Sequence, residues 1–206
     1  PDPLSIAQTD LVHRVEAAGL VPWEARVVAG YLYTTPREPG ATVSPTEALS
    51  PRGFDAVANT VMHGTFYVTQ AVGKRWIAQG LKGSVLSIIV TWVWTGSPFV
   101  VPSAMSKAGI DVMTKSLAVE WGRHGIRLNA IAPGIFPTEG AGARLRPAGG
   151  LPSKESTQNP MGRLGRMDEL GDLAAFLMAP DCEWLTGQTI AIDGANWLAN
   201  GAYFTQ

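Results

Sequence analysis

The 206-residue chain has a single cysteine, Cys182. That excludes an internal disulfide framework and fits a reducing, cytoplasmic setting. Its three histidines, His13, His63 and His124, have no spacing that would bring them to a shared metal, so no metal site is expected. Charge is sparse and balanced. Sixteen basic and 17 acidic side chains leave a net charge of −1. Such a balance gives no electrostatic reason to expect nucleic acid or an anionic membrane as a partner. Long apolar runs are also missing. The longest candidate, 84–94, falls well short of the roughly 20 residues that span a bilayer, and its β-branched content predicts a buried strand. No signal peptide is visible, and the first residue is Pro1 rather than Met, as in a processed, trimmed or incomplete front. Before Ser44 the only glycines are Gly19, Gly30 and Gly40. They are too scattered to build a glycine-rich phosphate-binding turn.

The chain does carry a globular composition, with 46% apolar and 16% charged residues, and enough length for one domain with a full core over 1–206. Residues 1–43 form an atypical front segment. Within it, 10–18 predicts a short amphipathic helix, 27–33 a strand and 35–43 a loop. From Ser44 the pattern sharpens. The stretch SPTE (44–47) has the form of a capping box with Ser44 as N-cap. Ser50-Pro51 opens a longer helix whose apolar residues recur every three or four positions from Phe54 to Trp76, with Gly80 suited to its left-handed C-terminal stop. A strand is expected at 84–90, a loop around 95–98, a helix from Ser103 to Trp121, a strand at 126–131, a loop over 137–166, a helix at 168–178 and a last strand at 189–192. Strands alternating with helices of this length predict an α/β fold with a parallel sheet covered by helices on both faces. Ligands of such sheets bind beyond the carboxyl ends of the strands. The segments 87–94 and 133–138 and the start of the helix carrying PSAMSKAG (102–109) would gather there. Ser103 and Lys107, four residues apart, share a face of that helix.

Taken in order, FDAVANTVMHGTFYVTQAV (54–72), GSVLSI (83–88), SAMSKAG (103–109), SLAVEWGRHGIRLNAIAPG (116–134) and TGQTIAIDG (186–194) resemble the C-terminal three-quarters of a short-chain dehydrogenase/reductase. TGSPFVVPS (95–103), PTEGA (137–141) and NPMGRLG (159–165) bring the likeness closer to the 2,4-dienoyl-CoA reductase branch. The resemblance implies a Rossmann-like sheet whose first βαβ turns are absent or replaced in residues 1–43. It implies NADPH-dependent reduction of an unsaturated acyl-CoA or enone, a small-molecule substrate, and a homo-oligomer, dimer or tetramer, formed through the helices at 54–79 and 103–121. Lys107 would bind the nicotinamide ribose hydroxyls and lower the pKa of a neighbouring phenol. Pro133, Gly134 and Ile135 would lie along the nicotinamide, and Thr138 would hydrogen-bond to its carboxamide or to phosphate.

Three departures from the family pattern stand beside these expectations. Ser103 occupies the place where most relatives have a tyrosine. In the dienoyl-CoA reductase branch a serine stands there and the tyrosine lies eleven residues earlier, a position held here by Trp92. An indole N–H donates a hydrogen bond but cannot act as an acid or base near neutral pH. Val61 replaces the asparagine that anchors a proton-relay water in most relatives, and the GxxxGxG turn and NNAG motif are missing, with PREPG (36–40) in the latter's place. A non-catalytic homologue that has lost cofactor binding is therefore the alternative. A cofactor-free lyase or hydrolase using Ser103 with Lys107 as base is a third. Trp92 and Trp94 are equally compatible with core packing and with lining a substrate pocket. Arg144, Arg146, Arg163 and Arg166 could meet coenzyme A phosphates or simply be solvated. Asp193-Gly194 is expected to be a turn, Asp168 and Glu169 to favour a helix dipole, and Gly73-Lys74 is not a P-loop.

Overall fold

The computed structural model describes residues 26–29, 44–137 and 159–199. Expectations for 10–18, 30–43 and 138–158, which include Thr138, Arg144, Arg146 and PREPG, lie outside the described residues. Four parallel strands form one sheet in the order β1-β2-β3-β4: β1 Arg26–Ala29, β2 Gly83–Ile88, β3 Ile126–Pro133 and β4 Thr189–Ile192. Val85 lies opposite Leu128, Leu86 opposite Asn129, and Ile131 opposite Ile190. The predicted parallel α/β fold is therefore present. The described part of the first strand, Arg26–Ala29, overlaps the expected 27–33 and begins one residue earlier.

Period-two alternation sends β2 and β3 side chains to two faces, and each face has its own buried cluster. On one face Val85, Ile126 and Leu128 pack with Trp76, Ala118 and Trp121. These last three come from α2 (Gly64–Gln79) and α4 (Val101–Trp121). Ile89, Ile110, Ala130 and Ala132 continue that face toward the carboxyl edge, with Val61, Val93 and Met113 against them. On the other face Leu86, Ile88 and Ile131 meet Ala174, Leu177 and Met178 of α5 (Met167–Met178).

The helix expected to run on from Ser50 begins as predicted. Ser50 Oγ accepts from the Gly53 N–H at 3.0 Å, and Pro51 is the first residue of α1 (Pro51–Ala58). It is then interrupted by a five-residue π-helical turn, Asn59–His63, before α2 resumes and ends at Gly80 in the left-handed region (φ 65°). The SPTE capping box does not form. Only a three-residue 3-10 turn, Thr46–Ala48, follows Pro45, and the Ser44 N–H donates instead to the Phe99 carbonyl at 2.8 Å. Pro51 explains this, because the residue before a proline is kept extended and no helix can grow across Ser50. A second difference is α3, Trp92–Thr95, a helical turn just ahead of the predicted 95–98 loop.

Arg127 on β3 fastens α5 to the sheet. Its guanidinium donates to the carbonyls of Leu177 and Ala179, at the helix end where carbonyls lack partners within the helix, and to that of Leu185 beyond it, at 2.9–3.1 Å. Asn129 does the same for the following turn, donating to Leu185 and accepting from the Gln188 N–H.

Candidate active site

The carboxyl ends of β2, β3 and β4 lie side by side, and most of the singled-out residues meet there. Lys107 is on the first half of α4. It is 6% exposed, and its Nζ donates to the carbonyl of Ile88, the last residue of β2, at 2.6 Å. The helix start explains the placement. Pro102 occupies the first turn, where a missing N–H costs nothing, and Ser106 Oγ turns back to the Pro102 carbonyl. Lys107 then falls on the face packed against the sheet. Burial alone drives its pKa down to about 7, because the charged ammonium has been taken out of water. An amine with that pKa at a strand end can exchange a proton near neutral pH.

Ser103 stands one turn before Lys107 and is half-buried. Trp92, also half-buried, opens α3, and its carbonyl accepts from the Gly96 N–H at 2.8 Å. Pro133 closes β3. The Gly134 N–H donates to the Ile192 carbonyl at 3.0 Å, and the Ile135 carbonyl accepts from the Gly165 N–H at 3.1 Å. These two backbone groups already have partners within the fold. Gly134 is required for a packing reason: a Cβ there would lie 2.5 Å from Asp193 Cβ. Thr138 lies outside the described residues. Val61 sits on the π-turn and packs against the Ile89–Ile110 cluster, so the residue that stands in place of the family's asparagine is part of the apolar core.

Arg163 was a candidate for phosphate contact. Its guanidinium instead grips Glu169, with distances of 2.6 and 2.9 Å, and Glu169 also accepts from the Arg166 N–H at 2.9 Å. These contacts, Arg163 first, hold the Glu169 carboxyl well below its usual range, at about 2. Asp193-Gly194 is a turn, as predicted, with Gly194 at φ 64°. The turn also does something that was not foreseen. Asp193 Oδ2 accepts from the Trp197 N–H at 2.8 Å and so fixes α6, Asn196–Ala199. Trp197 was missed because the short stretch after the last predicted strand carries no helical or strand periodicity. Its ring centroid lies 4.8 Å from that of Trp94, with the planes at 43°. Around the same edge Ile135, Phe136, Asn159, Leu164, Ile192 and Gly194 help line an open cleft of about 120 Å³. Among the described residues no group of acidic, histidine or cysteine side chains could hold a metal, and no helix is long and apolar enough to cross a membrane.

The fold is a parallel sheet with helices on both faces, with a buried lysine at a strand end and a serine one turn before it. Residues 37–195 match the family model described as enoyl-(acyl carrier protein) reductase. The chain belongs to the short-chain dehydrogenase/reductase family. It is 47% identical over 158 residues to an uncharacterised oxidoreductase of Caenorhabditis elegans, covering 75% of this chain and 50% of that protein. Over 160 residues it is 39% identical to a probable 2,4-dienoyl-CoA reductase of Bacillus subtilis (strain 168), covering 77% of this chain and 63% of that one. A dehydrogenase structure from Agrobacterium tumefaciens with bound NADP is 27% identical and superimposes with a TM-score of 0.71 over 85% of this chain and 68% of its own. The chain spans between half and two thirds of the length of these two curated relatives.

Proposed function

We propose that the chain is an NADPH-dependent reductase of an unsaturated acyl-CoA or related enone. The observation that carries this is the Lys107 amine, buried at the carboxyl end of β2 with a pKa of about 7. The name of the Bacillus subtilis relative supports the substrate class, and the NADP in the Agrobacterium tumefaciens structure supports the cofactor.

The described residues fit the nicotinamide-ribose half of such a cofactor. A buried amine stands at the ligand edge of the sheet, beside the Pro133–Ile135 exit from β3. No glycine-rich turn for the pyrophosphate is found among the described residues. The cofactor, when bound, would supply the hydride. Lys107 would hold the ribose hydroxyls, Pro133, Gly134 and Ile135 would flank the nicotinamide, and Thr138 would hydrogen-bond to the carboxamide or phosphate. The Trp92 N–H would polarise the thioester carbonyl, but an indole cannot release its proton near neutral pH. The Ser103 hydroxyl is a far weaker acid than a phenol. Of these three groups only Lys107 titrates near pH 7, so the proton step falls to it.

A homo-oligomer is part of the proposal. It is supported by apolar side chains left exposed on α2 and α4, including Phe66, Tyr67, Val112 and Val119. The buried single cysteine supports a reducing, cytoplasmic compartment. A second function, a homologue without hydride transfer, is favoured by Val61 in its apolar cluster and by Trp92 in the tyrosine position. Calorimetric titration of NADPH into the purified chain separates the two, with Lys107→Ala as control. Micromolar binding that the variant loses is the expected result. No binding to the unaltered chain would overturn the reductase assignment and leave the non-catalytic homologue.

A further inference from the structure

The chain places two tryptophans, far apart in sequence, against each other at the ligand edge. α3 begins four residues after the end of β2, and α6 begins four residues after the end of β4. β2 and β4 are the two neighbours of β3. The Trp94–Trp197 contact therefore joins the segments leaving both strands that flank β3, whose own exit is the Pro133-Gly134 turn. Neither indole belongs to the three buried clusters, and Trp94 remains 39% exposed.

The pair is held from behind. Asp193 accepts the Trp197 backbone N–H through its carboxylate, while its own carbonyl accepts from the Asn159 amide at 2.8 Å. Asn159 Oδ1 in turn accepts from the Met161 N–H at 2.9 Å. Gly194 cannot take a side chain, since a Cβ would lie 2.5 Å from Asn159 Oδ1. Among the described residues just two non-glycine residues have positive φ, Ala195 and Phe99, both at 65°. Ala195 precedes α6, and Phe99 follows α3. Left-handed backbone at a residue with a Cβ persists where its surroundings dictate it. Here the two positions bracket the aromatic pair.

On the reductase assignment above, we propose that Trp94 and Trp197 form the acyl-binding wall of the site and select a flat, conjugated thioester over a saturated chain. The two rings are tilted by 43° rather than stacked flat, and Trp94, 39% exposed, keeps part of its ring free for a ligand. A rigid conjugated chain lies flat on such a face and has few torsions to lose on binding. A saturated chain of the same length makes fewer contacts at once and gives up more freedom.

The test is a calorimetric titration of the full chain, without cofactor, using hexa-2,4-dienoyl-CoA and hexanoyl-CoA as probes. The unaltered chain should bind the dienoyl ester roughly tenfold more tightly. Trp94→Ala and Trp197→Ala should each bring the ratio close to one, and Trp94→Phe should keep most of it. Thermal melts identify any variant that unfolds, and the Phe variant then decides the question. An equal affinity of the unaltered chain for both esters, or a ratio that both Ala variants preserve, would overturn the proposal. Because NADPH is absent from this titration, its outcome is independent of the cofactor test. A dienoyl preference that the variants lose, together with failure to bind NADPH, would keep the aromatic wall and remove the reductase.

Discussion

Replacing Lys107 with methionine should change how stability depends on pH. The side chain is 6% exposed, and burial holds its pKa at about 7 against an ordinary 10.5. Between those values the unfolded chain binds a proton that the folded chain does not. Stability should therefore rise with pH from about 7 to about 10.5, while below 7 both states are charged and the full cost of burying the ammonium is felt. Three and a half units at 1.36 kcal/mol each set that full cost at about 5 kcal/mol. Between pH 6 and pH 9 the part recovered is about 3 kcal/mol. Urea denaturation of both proteins across this range measures it, because other titrating groups cancel in the difference between wild type and Lys107→Met. The hydrogen bond to the Ile88 carbonyl adds only an offset that does not vary with pH above 10 or below 6. A wild-type minus variant difference that stays constant from pH 6 to pH 9 would show that the amine is solvated and that its burial does not shift its pKa.

Other expectations are as direct. Trp92→Tyr should raise turnover of a dienoyl thioester with NADPH by on the order of 100-fold, since it restores a titratable group at the start of α3, just beyond β2. Steady-state kinetics showing no increase would remove Trp92 from the site. In Gly73→Ala the new Cβ would meet the Trp121 ring at 2.3–2.9 Å, so α2 and α4 would have to separate. A loss of about 1–3 kcal/mol is expected by chemical denaturation, and a neutral result would mean the ring can move aside. The Glu169 carboxyl is held at about 2 by Arg163, so its stabilising contribution is complete above about pH 4.5 and is lost as pH falls toward 2. In Arg163→Met that carboxyl should titrate closer to the ordinary carboxylate value in an NMR pH titration. An unmoved titration would assign the depression to the Arg166 N–H alone.

Much of the framework could be read from local chemistry. The segments 83–88 and 126–133 are strands because short stretches of mostly small and apolar residues, with Val85, Ile88, Ile126 and Ile131 among them, suit a pleated surface buried on both faces. Gly80 stops α2 because a left-handed residue is needed there. Ser50-Pro51 starts α1 as its hydrogen-bonding pattern predicts. What failed was local chemistry under competition. SPTE has the form of a cap, yet the Pro51 that follows leaves no room for its helix, and Ser44 pairs with Phe99 instead. The π-turn at Asn59–His63 lies within an unbroken apolar period, so nothing in the periodicity distinguishes it from plain helix.

The candidate site divides the same way. Sequence alone determined that Lys107 and Ser103 share a helix face and that this helix follows a buried strand, which follow from residue identity and a 3.6-residue repeat; the resemblance to the family is what marked Trp92 as standing in the place of a phenol. Only the tertiary structure decided that the Lys107 amine is buried on the Ile88 carbonyl, that Arg163 belongs to Glu169, and that Trp94 meets Trp197 across 103 positions. Burial, ion pairing and aromatic contact depend on which strands become neighbours. That order is set by packing of the whole sheet, and no single stretch of chain contains it.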